Sequence, residues 1–120
     1  MGKKILLLDD DQSILDIVSF VLNDCGFDVQ TQATGKSVFA VIAKFHPDLV
    51  LMDVMLAEMD GRLICRDLKS NILTLHIPVI LISGTHNLSE SLHQQGAPND
   101  FLAKPFDLDV LLHKVNAQLV

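Results

Sequence analysis

Ile5-Leu6-Leu7-Leu8-Asp9-Asp10-Asp11, together with its later counterpart Leu49-Val50-Leu51-Met52-Asp53, decides the fold. Each is an apolar run that ends in acid. A strand buried on both faces reads as a continuous apolar run, as in parallel sheets, and open α/β sheets bind ligands beyond the carboxyl ends of their strands. The two acidic ends therefore belong at one site. Like charges crowded together resist ionising unless a shared proton, a cation or a basic partner relieves them. A divalent metal together with Lys104 answers that need.

Outward from these runs, hydrophobic periodicity alternates with strand-like segments. Ile14, Ile17, Val18, Val21 and Leu22 recur at helical spacing, with Asp11 as N-cap and Gly26 as stop. Phe27 to Gln32 alternates apolar and polar residues, as an edge or half-exposed strand does. Thr34 can cap a second helix carrying Val38, Val41, Ile42 and Phe45, which ends at His46-Pro47. After the strand from Asp48 to Asp53, Asp60-Gly61 turns into a third helix supported by Leu63, Ile64 and Leu68 and running to about Ser70. Pro78 heads the strand from Val79 to Ser83, which is a tolerated place for proline. Leu88 and Leu92 predict a short fourth helix between Thr85 and Gln95, and Phe101 to Ala103 a brief fifth strand. Asp107 caps a closing helix built on Leu108, Leu111, Leu112, Val115 and Leu119. Five strand and helix alternations imply a parallel sheet covered by helices on both faces.

Composition narrows the function. A chain of 120 residues, 49% hydrophobic and 20% charged, is expected to form a single domain over residues 1–120 rather than a disordered segment. Its longest apolar run, Val38 to Ala43, falls far short of the roughly 18 residues of a membrane span, and Met-Gly-Lys-Lys does not read as a secretory signal. A reducing, cytoplasmic setting is expected. The net charge of −6 argues against direct nucleic-acid binding, which needs clustered Lys and Arg. Cys25 and Cys65 lack paired CxxC spacing and read as reduced, partly buried residues, and the five histidines form no zinc motif.

With these elements in order, the sequence resembles a response-regulator receiver domain, the phospho-acceptor half of two-component signalling. The resemblance runs from Ile5-Leu-Leu-Leu-Asp-Asp-Asp through Leu49-Val-Leu-Met-Asp53, Met59-Asp60-Gly61 and Val79-Ile-Leu-Ile-Ser83 to Phe101-Leu-Ala-Lys104-Pro105-Phe106. It implies a doubly wound, flavodoxin-like (βα)5 fold with strand order 2-1-3-4-5. It further implies that Asp53 takes a phosphoryl group from a sensor histidine kinase or a histidine phosphotransfer protein. Asp10 would then ligate Mg²⁺ directly, Asp9 would act mainly through a water, and the Met55 carbonyl and Asp53 would complete the protein ligands. Lys104 would pair with Asp53 before transfer and with the phosphoryl group afterwards. Ser83 would bind a phosphoryl oxygen, and Phe101 would stand where the family has its switch aromatic. In receivers the peptide bond corresponding to Lys104-Pro105 is cis.

Some residues depart from the family pattern. Leu56-Ala57 replaces the common Met-Pro, which leaves that loop less rigid, and the segment after Ser83 is shorter than in the prototype single-domain receiver. Met55 offers no good donor or acceptor to orient an attacking water, so self-dephosphorylation is expected to be slow. Two rival readings follow from the same residues. Asp9, Asp11 and Ser13 form a DxDxS pattern that resembles the DxDx(T/V) motif with which haloacid-dehalogenase-like phosphatases begin, and a degenerate receiver could serve only as a binding module. The full set of Asp9, Asp10, Asp53, Ser83 and Lys104 favours a working receiver.

Overall fold

The computed structural model describes residues 2–56, 59–84 and 96–119. The expected helix between Thr85 and Gln95 lies outside the described residues. The elements run β1 (Lys4–Leu8), α1 (Gln12–Asp24), β2 (Asp28–Gln32), α2 (Val38–Phe45), β3 (Leu49–Asp53), β4 (Met55–Leu56), β5 (Met59–Asp60), α3 (Gly61–Ser70), β6 (Val79–Ser83), β7 (Asp100–Ala103) and α4 (Leu108–Gln118).

Five of the strands form one parallel sheet in the order β2-β1-β3-β6-β7. With the short β4–β5 ribbon set aside, this is the expected order 2-1-3-4-5. β3 and β6 are buried throughout, and β1 from Ile5 onward, because successive side chains feed opposite cores. Leu6, Leu8, Val50, Met52, Val79 and Leu81 pack with α2 and α3, while Ile5, Leu7, Leu49, Leu51, Ile80 and Ile82 pack with α1 and α4. Full burial of each such side chain stabilises the fold by about 1.5–3 kcal/mol before chain entropy is counted. Strand β2 lies at the edge and is half-exposed, as its alternation predicts.

Asp11 caps α1 by accepting from the Ser13 N–H at 3.0 Å, and Asp60 caps α3 through the Arg62 N–H at 2.8 Å. Gly26 carries the positive φ of 94° that ends the first helix's turn. Several finer expectations are corrected. Thr34 accepts from Lys36 N–H at 3.2 Å in the loop, and α2 begins only after Ser37, whose φ of 61° breaks the helical path. Asp107 occupies the N-cap of α4 without a side-chain cap bond. Ile17 and Leu63 face solvent, so the buried stripe of α1 is Leu15, Val18 and Leu22, and that of α3 is Gly61, Ile64, Cys65 and Leu68. Cys25 is exposed and Cys65 buried, and neither forms a disulfide. Among the described residues no helix is long and apolar enough to cross a membrane.

Candidate functional site

Because β1, β3, β6 and β7 run parallel, their carboxyl ends share one rim of the sheet. Asp9 follows β1, Asp53 and Ser83 close β3 and β6, and Lys104 follows β7. Register fixes their depth: Asp53 lies beside Ile82, Ser83 beside Ala103, and the Lys104 N–H donates to the Ser83 carbonyl at 2.8 Å. The Lys104–Pro105 peptide is cis.

Lys104 reaches across the rim. Its Nζ donates to Asp9 Oδ2 and to Asp53 Oδ2, each at 3.1 Å. The second oxygen of each acid is also held, Asp9 Oδ1 by the Asp11 N–H at 2.9 Å and Asp53 Oδ1 by the Met55 N–H at 3.2 Å. Asp9 is fully buried and Asp53 nearly so, whereas Asp10 faces solvent. Carboxylate oxygens of Asp9, Asp10 and Asp53 lie within 4.8 Å of one another. The electrostatics follow from this crowding. Burial pushes the Asp9 carboxyl above the ordinary aspartate range, with the charge of Asp53 adding to it, and the bonds from Asp11 N–H and Lys104 only partly offset the rise. Burial also pulls on Lys104, but the bonds and charges of Asp9 and Asp53 outweigh it and hold the ammonium above the usual lysine range.

The donor set suits a hard divalent cation. It consists of oxygens alone, and oxygens within 4.8 Å of one another would have to close in further around Mg²⁺, whose bonds are about 2.1 Å long. Ser83 is buried at the floor of the rim. Met55 lies directly beyond Asp53 with its side chain exposed. Phe101 is half-buried on β7 against the α2–α3 core, and Lys114 sits 5.7 Å from its ring centroid while pairing with Asp100 at 3.2 Å. The phosphatase pattern finds no support, since Asp11 and Ser13 are spent on each other as the cap of α1, with the Ser13 hydroxyl donating at 2.6 Å.

Sequence reasoning brought together Asp9, Asp10, Asp53, Ser83 and Lys104, but it missed that Asp9 shares Lys104 equally with Asp53. The β4–β5 ribbon and the Lys114 contact were also missed. Two-residue strands carry too little periodicity to announce themselves, and pairing across α4 and β7 is not a local signal.

The chain belongs to the response-regulator receiver domain family, whose model matches residues 5–116, and these domains are the phosphoryl-accepting modules of two-component signalling. Among its relatives is the DNA-binding dual master transcriptional regulator RpaA of Synechocystis sp., 36% identical over 97% of this chain and 48% of that protein. The chain thus spans about half of RpaA's length. Solved structures similar to it include a CheY-like receiver domain protein from Methanospirillum hungatei, with TM-score 0.89, 28% identity and coverage of 99% of this chain and 94% of the other. Another is the BeF3-activated N-terminal receiver domain of Klebsiella pneumoniae RstA, with TM-score 0.86, 29% identity and 98% coverage of both chains.

Proposed function

We propose that Asp53 is the phospho-acceptor of a working receiver that forms a single domain over residues 1–120. The observation that carries this is the placement of Lys104 Nζ, 3.1 Å from both Asp53 and Asp9, with Asp10 completing an acidic cluster around them. Asp53 Oδ2 attacks the phosphorus of a phosphohistidine on a sensor kinase or phosphotransfer protein, so that a P–N bond breaks and a P–O bond forms. Lys104 orients that oxygen beforehand and neutralises phosphoryl charge afterwards, and the Ser83 hydroxyl donates to a phosphoryl oxygen. Asp10 and Asp53, the Met55 carbonyl and, through water, Asp9 would hold Mg²⁺. Bound there, Mg²⁺ supplies positive charge for the phosphoryl oxygens.

Incubating the chain with MgCl₂ and acetyl phosphate or phosphoramidate tests the reading by intact mass. A gain of one phosphoryl group, mapped to Asp53, is expected, and no gain would favour a binding-only module. Metal binding has its own readout. MgCl₂ at tenfold its dissociation constant should stabilise the fold by about 1.4 kcal/mol, seen as a rise in Tm of a few degrees. Asp10→Asn should remove most of that rise, and an unchanged rise would take Asp10 out of the ligand set.

Met55, with its exposed thioether side chain, gives an attacking water no partner, so the acyl phosphate should be long-lived. A phosphate-release assay is expected to show decay over minutes or longer, whereas loss within seconds would reject this. Phe101 is the proposed switch aromatic, acting through burial because it has no hydroxyl. The likeness to RpaA suggests a transcriptional output elsewhere in the full protein, with this domain itself making no nucleic-acid contact. A cytoplasmic site fits both the family and the two free thiols.

A further inference from the structure

Gly61 is the first residue of α3 and is buried, yet nothing in its backbone conformation calls for glycine, since the glycines with positive φ are Gly26 and Gly96. Space is the constraint. A Cβ on Gly61 would overlap the carbonyl oxygen of Asp53 and press on the Asp53 carbonyl carbon and Val54 Cα, both 3.1 Å away. The atoms it would meet are all main chain, so no side-chain rotation relieves the clash. The same residue holds this segment from the other side, because its N–H donates to the Val54 carbonyl at 2.7 Å. Val54 N–H in turn donates to the Ile82 carbonyl at 2.9 Å, which ties the peptide after Asp53 to β6. The β4–β5 ribbon, pairing Met55 with Asp60, closes the ring between the two contact points.

We propose that Gly61 is a positioning residue for phosphoryl transfer: its missing side chain lets the start of α3 seat directly against the Asp53–Val54 main chain and set where the Asp53 carboxylate lies. The proposal rests on the reading of Asp53 as phospho-acceptor. A methyl group at residue 61 must displace either α3 or the Asp53 peptide. In either case the Met55 N–H that holds Asp53 Oδ1 and the oxygen that meets Lys104 move relative to each other. The site depends on this alignment because misplacement of about 1 Å can cost about a hundredfold in rate. Gly35 provides the comparison. A Cβ there meets only the ends of flexible side chains, Ile64 Cδ1 and the thioether of Met59, which can give way.

The test compares the wild type, Gly61→Ala and Gly35→Ala with acetyl phosphate and MgCl₂ below the melting temperature of each. The expected result for Gly61→Ala is a folded domain with uptake slowed about ten- to a hundredfold. The loss should fall on the rate at saturating donor rather than on the half-saturating donor concentration. The backbone amide resonances of Val54 and Met55 should shift, while Gly35→Ala keeps the wild-type rate and the wild-type Val54 and Met55 resonances. A folded Gly61→Ala that takes up phosphoryl at the wild-type rate overturns the proposal. A Gly61→Ala chain that does not fold overturns it too, in favour of a purely structural contact. No uptake by the wild type would reject the phospho-acceptor reading itself, and this proposal with it.

Discussion

Asp53→Asn is expected to take up no phosphoryl group while remaining folded. The change is nearly isosteric but replaces a carboxylate oxygen by an amide, which is no nucleophile towards phosphorus. The carboxamide oxygen can still accept from Lys104, at the cost of turning its NH₂ towards the Met55 N–H that now binds Asp53 Oδ1 at 3.2 Å. Set against that lost bond is relief of like-charge repulsion, because Asp53 raises the carboxyl of Asp9. The two effects oppose each other, so stability should stay within about 1 kcal/mol of the wild type. Intact mass after incubation with acetyl phosphate and a thermal melt check both halves. A phosphoryl group retained on the variant would mean that another residue is the acceptor.

Lys104→Ala should have the second largest effect, on stability and rate together. It leaves a fully buried Asp9 and a nearly buried Asp53 facing each other without their shared ammonium. Removing one partner of a buried pair costs about 3–5 kcal/mol. The cost here should be lower, about 2–3 kcal/mol, because a quarter of the lysine side chain is open to water and Asp9 can take up a proton instead. That corresponds to a fall in Tm of roughly 5–15 °C. Phosphoryl uptake should slow by about 10²–10³, the effect of deleting one preorganised donor. MgCl₂ should raise the Tm of the variant more than that of the wild type, because the cation then replaces the missing charge. Wild-type stability and uptake in Lys104→Ala would show that the bridge matters little.

The apolar runs Ile5–Leu8, Leu49–Met52 and Val79–Ile82 made the core strands legible, since residues buried on both faces need no partner to be recognised. Asp9 and Asp53 after the first two runs, and Ser83 after the third, marked the rim because a polar residue ending a buried strand sits at the sheet's carboxyl edge. Less was readable wherever packing, rather than pattern, decides the outcome. Ile17 and Leu63 keep helical spacing yet point outward, because the stripes that meet the sheet are offset from them. Thr34 has the chemistry of a cap but sits too early, and the conformation of Ser37 sets where α2 begins. Gly61 read as a turn residue because a sequence shows what a residue is and not what touches it. Asp9 read as an acid of the metal site alone, because only the folded sheet brings Lys104 between it and Asp53.

Lys104 follows β7, the edge strand opposite β2, three positions after Phe101, while its ammonium grips Asp9 after β1 and Asp53 at the end of β3. The outer strand is thus tethered to the middle of the sheet through its own functional group. Thermodynamic linkage then runs in both directions. If the surface around Phe101 differs between the two states, a bound downstream protein that prefers the phosphorylated form must raise the equilibrium constant for phosphorylation by the same factor by which phosphorylation raises its affinity. A listener to the signal would therefore also help to hold it on.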